Sequence, residues 1–244
     1  MTTLIVMPGT GSDADYAQRA FASAAASLGA RLIALEPESD LVASYLDRLD
    51  HHVSRTDSVF VGGVSIGAVI ALDWALRTEM IDRCRGVLAA LPPWTGSPDD
   101  SVAAASARLT ADSLADDGLE STVTQMVATS PAWLGAELSR SWRALHSRGL
   151  QTQLRMAATH VAPDVDAIAA LTVPLGVAAA PDDPLHPIAV ADEWVRAAPH
   201  AGSATVGLDE FGPEPRRLGE ACVRAWRSAV GRSAAATAAE PRHR

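Results

Sequence analysis

Cysteine is nearly absent: the chain of 244 residues has two, Cys84 and Cys222, each in apolar surroundings and without metal-ligand spacing. That excludes a disulfide-stapled scaffold and a thiolate metal site, and it predicts two buried free thiols in a reducing compartment. Lysine is missing altogether, so arginine alone supplies the 20 basic residues against 29 acidic ones. The resulting net charge of −9 argues against a general nucleic-acid binder and gives anionic membranes nothing to attract. Long apolar runs are missing too. The first one, Leu4 to Met7, follows no basic segment and is too short for a signal peptide or a membrane span. A cytoplasmic location is expected. What is present, 48% apolar and 20% charged residues, is ordinary for a globular protein long enough to bury a full core.

Short apolar runs alternate with helical patterns, which predicts an α/β chain with a parallel sheet of about six strands and helices on both faces. Strands are expected at Thr3–Met7, Arg31–Leu35, Ser58–Val61, Gly86–Ala90, Val173–Ala179 and Ala204–Val206. Helices are expected at Asp13–Leu28, Asp40–Leu49, Ile66–Arg77, Pro187–Ala197 and Pro213–Val230. Between Pro92 and Pro163 the strand pattern stops, and three or four helical segments take its place. Residues 231–244, alanine-rich and then charged, read as a disordered tail. No internal repeat is visible.

Within this order, Gly63-Val64-Ser65-Ile66-Gly67 joins an expected strand to an expected helix with a serine at the apex. A serine on so sharp a turn has room only for small residues two positions away on either side, and Gly63 and Gly67 supply it. The turn also sets the hydroxyl at a helix N-terminus, where free N–H groups stabilise negative charge. This arrangement resembles the nucleophile elbow of α/β-hydrolases. The resemblance covers most of the chain. It implies a core of residues 1–92 and 163–230, with residues 93–162 inserted as a helical lid.

The same resemblance implies roles for other residues. The loop Pro8–Asp13 would supply an oxyanion-hole N–H from Thr10 or Gly11, beside that of Ile66. Pro181-Asp182-Asp183-Pro184-Leu185-His186-Pro187 is similar to the family's acid loop, with Asp183 as the triad acid and Asp182 second. The family's histidine follows the last strand. Here that segment reads Leu208-Asp209-Glu210-Phe211 and contains none, which leaves Glu210 and Phe211 to line the site. Strands end and helices begin on one edge of such a sheet, so His51, His52 and His200, which follow helices, belong on the other. His243 falls in the tail and His146 in the lid. His186 is therefore the first choice for the base, an i to i+3 partner of Asp183, and His160 is the second.

Aromatic residues are scarce at 5%, yet Trp94, Trp133 and Trp142 gather in the lid, either to wall an apolar pocket or to glue the lid to the core. The leading reading is a serine esterase or thioesterase acting on a small or medium apolar ester, with no metal and no cofactor. Two others stay open. One is a hydrolase-like protein that binds without hydrolysis. The other is a nucleotide-binding domain, because Gly9-Thr10-Gly11-Ser12-Asp13-Ala14 fits Gly-x-Gly-x-x-Ala and Glu36 ends the next strand, where a ribose-binding acid belongs.

Overall fold

The computed structural model describes residues 1–239. The first half runs β1 (Thr2–Met7), α1 (Ala14–Ser27), β2 (Arg31–Ala34), α2 (Leu41–Ser54), β3 (Ser58–Val64), α3 (Ile66–Arg77) and β4 (Cys84–Ala90). Four helices follow: α4 (Val102–Asp116), α5 (Leu119–Thr129), α6 (Ala132–His146) and α7 (Leu150–Thr159). After a short α8 (Val165–Ala169) the chain returns as β5 (Leu175–Ala179), α9 (Ile188–Ala197) and β6 (Ala201–Thr205). It ends with a one-turn α10 (Leu208–Phe211) and the long α11 (Arg216–Ala239). The six strands pair in parallel throughout, in the order β2-β1-β3-β4-β5-β6.

Both faces of the sheet are covered, as a parallel sheet requires. Alternate residues of β1 serve opposite faces. Leu4 and Val6 join a core with Phe21 of α1 and Leu218 of α11. Ile5 and Met7 join another with Tyr45 of α2 and Val69 of α3. The helical segment between β4 and β5 adds to the second core through Ala107, Leu145 and Leu154. Cys84 and Cys222 are free and buried, and burial pushes each thiol up to about 12.

The differences from the sequence reading lie at element ends. β3 continues through Gly62 and Gly63, poor strand formers, because both pair in register with β1 and β4. α2 extends to Ser54, so His51 and His52 sit in its last turn rather than after it. The tail expected to be disordered from residue 231 instead continues α11 as far as Ala239, in keeping with the high helix propensity of alanine. Residues 240–244, His243 among them, lie outside the described residues. No described helix is long and apolar enough to cross a membrane.

Candidate active site

Ser65 stands between β3 and α3 with φ 54 and ψ −119, a left-handed conformation that a non-glycine residue adopts only when its surroundings enforce it. Its N–H is tied to the carbonyl of Ala90 at 2.9 Å. A Cβ on Gly63 would lie 2.5 Å from the Met7 carbonyl oxygen, and one on Gly67 would lie 2.4 Å from the same atom. Only glycine fits at either position, so the sequence gives the elbow its shape.

The loop after β5 brings Asp183 and His186 to Ser65. His186 Nε2 lies 2.9 Å from Ser65 Oγ, and His186 Nδ1 lies 2.7 Å from Asp183 Oδ2. Asp183 Oδ1 accepts from the N–H of Leu185 at 2.8 Å. Burial alone would raise the Asp183 carboxyl, but its bonds to His186 and the loop N–H groups outweigh that and hold it below its ordinary value. An ionised carboxylate only accepts, so Nδ1–H donates to Asp183. Nε2 is left free to accept from the serine hydroxyl. Such a chain can move a proton away from Oγ.

Asp182, the second choice for the acid, bonds elsewhere: its carboxylate accepts from the N–H of Leu208 at 3.1 Å and ties the loop after β5 to the start of α10. His160 turns toward α3, where its Nε2 lies 3.8 Å from Asp73 Oδ2. Its carbonyl accepts from Trp94 Nε1. Glu210 does not line the site. One turn of helix puts Leu208 and Phe211 on the cavity side, while Glu210 is exposed and its carboxylate accepts from the N–H of Gly207.

Above Ser65 a cavity of about 280 Å³ is walled mainly by apolar side chains. Trp94, Trp133, Trp142 and Phe211 all contribute, so the tryptophans wall a pocket and also join the helical segment to the core. Trp133 and Phe211 meet edge to face, with ring centroids 5.6 Å apart. Leu91 lines the cavity too, at φ 53, held by its N–H to the Ala178 carbonyl at 2.8 Å. Nothing in the sequence marked it.

The loop after β1 lies against the elbow: a Cβ on Gly9 would sit 3.4 Å from Ser65 Cβ. Thr10 lines the cavity. Three successive residues of α6 grip two residues of this loop, Gly11 and Asp13. Arg140 donates twice to the Asp13 carboxylate, at 2.6 and 2.8 Å. The Ser141 hydroxyl donates to the Gly11 carbonyl at 2.7 Å, and the Trp142 indole covers Gly11, where φ is +76 and a Cβ would come within 2.7 Å of the ring nitrogen. Spacing alone does not reveal this clamp, because its partners are about 130 residues apart.

These contacts overturn the nucleotide reading. The N–H of Ala14 donates to Glu36 and that of Tyr16 to Asp13, so carboxylates fill the place at the start of α1 that a pyrophosphate would need. Asp13, Asp15 and Glu137 converge near the same spot, but Arg19 and Arg140 already pair with them.

No known protein family model and no curated protein sequence matches the chain. Solved structures do. An esterase from Thermogutta terrifontis (malate bound) superposes with a TM-score of 0.67 at 18% identity, over 94% of this chain and 90% of that one. The enol-lactonase from Burkholderia xenovorans LB400 gives 0.68 at 16% identity, over 95% and 92%. MenH from S. aureus gives 0.69 at 11% identity, over 94% of each chain. The chain has the α/β-hydrolase fold.

Proposed function

We propose that the protein is a serine hydrolase, an esterase or thioesterase acting on a small or medium apolar ester. The observation that carries this reading is the unbroken chain from Ser65 Oγ through His186 to Asp183, at 2.9 and 2.7 Å, on a serine held at φ 54. The esterase and lactonase among the proteins of like fold are in keeping with it. Ser65 Oγ attacks the carbonyl carbon as His186 Nε2 takes its proton, and Asp183 stabilises the imidazolium so formed. The N–H of Ile66 at the start of α3, with that of Thr10 or Gly11, receives the oxyanion. Thr10 is the better candidate of the two, since it lines the cavity. His186 then returns the proton to the leaving alcohol or thiol, and a water activated in the same way releases the acid. The scheme needs no metal or cofactor.

Residues 93–162 act as a lid whose apolar underside selects the substrate. The two free thiols suit a reducing, cytoplasmic setting.

A fluorophosphonate probe tests the reading. Wild type gains the mass of one phosphonyl group and Ser65→Ala gains none. Wild type that remains unlabelled leaves a protein that binds without hydrolysis.

A further inference from the structure

Glycine stands on both sides of Thr10, which gives the loop after β1 great backbone freedom in the unfolded chain. In the fold that freedom is removed. The Ser12 N–H closes a turn onto the Gly9 carbonyl at 3.0 Å, with Gly11 in third place at φ +76. The other polar atom of the same peptide unit, the Gly11 carbonyl, accepts from no backbone N–H among the described residues. Its partner is the Ser141 hydroxyl at 2.7 Å, so the unit between Gly11 and Ser12 is pinned at both ends. That hydroxyl also lies 3.3 Å from the Leu138 carbonyl of its own helix, the longer of the two contacts. Ser141 is 0% exposed, which leaves no room for water to replace the bond. The neighbouring Trp142 ring nitrogen has no hydrogen-bond partner, so the indole holds Gly11 by packing alone.

The N–H groups of Thr10 and Gly11 donate to nothing among the described residues. Thr10 lines the cavity, and Gly9 packs against Ser65. Free backbone donors stabilise a developing negative charge well only when they stand in place before it appears. We propose that Ser141 is a positioning residue for hydrolysis: through Gly11 it keeps the free N–H groups of the loop in register with Ser65. It does not line the cavity and takes no part in bond making. The inference rests on the hydrolase reading and deepens it. It gives α6 two tasks, since the helix that walls the cavity with Leu138 and Trp142 also holds the loop that would receive the oxyanion.

Two measurements test the anchor, and the second does not need turnover. The first uses Ser141→Ala and Ser141→Cys, the latter close in volume to serine but a weak donor. With p-nitrophenyl butyrate, kcat should fall by about tenfold to a hundredfold in both, with KM changed by about twofold at most. A loss of folded protein would also lower kcat, so inhibition constants are compared as well. In 1,1,1-trifluoro-2-octanone the carbonyl carbon is attacked by Ser65 Oγ, the serine proton passes to His186, and the carbonyl oxygen becomes an oxyanion with nothing leaving. Its Ki should rise by the factor that kcat/KM falls, while that of 1-octanol, which forms no oxyanion, stays the same. Wild-type kcat in Ser141→Cys, an unchanged ketone Ki, or equal weakening of both inhibitors overturns the proposal and leaves the hydrolase reading standing.

The second follows amide hydrogen exchange by NMR in wild type and Ser141→Ala. Exchange at the Ser12 N–H should quicken by about tenfold or more as the turn loosens, while Val61 in the middle of β3 keeps its rate. If wild type neither hydrolyses the ester nor binds the ketone, the hydrolase reading falls, and faster Ser12 exchange still supports Ser141 as the anchor of the loop. Unchanged Ser12 exchange overturns the anchor whatever the activity.

Discussion

Ser65 holds a backbone angle that most side chains avoid, and the hydroxyl it presents is met at once by the His186 imidazole. Asp183 and His186, the candidate acid and base, come from one turn: they are three residues apart, and Pro187 caps α9 immediately after them. His186→Ala should lower kcat on an activated ester by something on the order of a thousandfold, as loss of one member of a coupled set does. Glu210→Ala, on the outward side of α10, should change it far less; steady-state kinetics of the two variants side by side checks this. At this scale the sequence was informative where chemistry and chain order coincide. Ser65 was legible from its glycines, and His186 from the fact that few histidines can reach the edge where strands end. Leu91 and the free indole of Trp142 were not legible, because backbone strain and a missing partner exist only after the chain has folded.

At the scale of elements, the clamp of α6 on the loop after β1 joins the helical segment to the candidate oxyanion loop. Asp13 is buried, which by itself would raise its carboxyl, but the Arg140 guanidinium and the Tyr16 N–H hold it below the ordinary range. Its contribution to stability is therefore complete above the ordinary aspartate value of about 3.9 and is lost as the pH falls through its own lower one. Arg140→Met leaves that carboxylate unpaired. The cost is about 1–3 kcal/mol, reduced from the fully buried case because Arg140 is half exposed, and it should lower Tm by several degrees. Asp13→Asn keeps the helix cap and removes the charge. Its Tm should trail that of wild type near neutral pH and draw level with it in strong acid, as scanning calorimetry across that range would record. The element order was readable from alternating apolar runs and helical periods. The clamp was not, since charged residues on a helix surface look alike until their partners arrive from another part of the chain.

At the scale of the whole molecule, two cores flank one parallel sheet, and each cysteine lies in a different core. With burial pushing both thiols up to about 12, neither is available as thiolate near neutral pH. A thiol-reactive dye should leave the native protein unlabelled and take up two equivalents in denaturant; labelling of the native chain would show that one core opens. The all-parallel sheet was legible because period-2 alternation gives way to continuous apolar runs where both faces are buried. The extent of α11 was not, because an alanine-rich end reads equally as helix or tail without its neighbours. The placement of Asp183 and His186 on one turn has one more consequence. In a three-loop arrangement, any change to the segment after the last strand risks the base itself. Here that segment carries only Leu208 and Phe211 toward the cavity, so that stretch of cavity wall can be rewritten in β6–α10 while Asp183 and His186 stay together in one short turn. The fold sets this part of the cavity wall on a different segment from the Asp183–His186 pair.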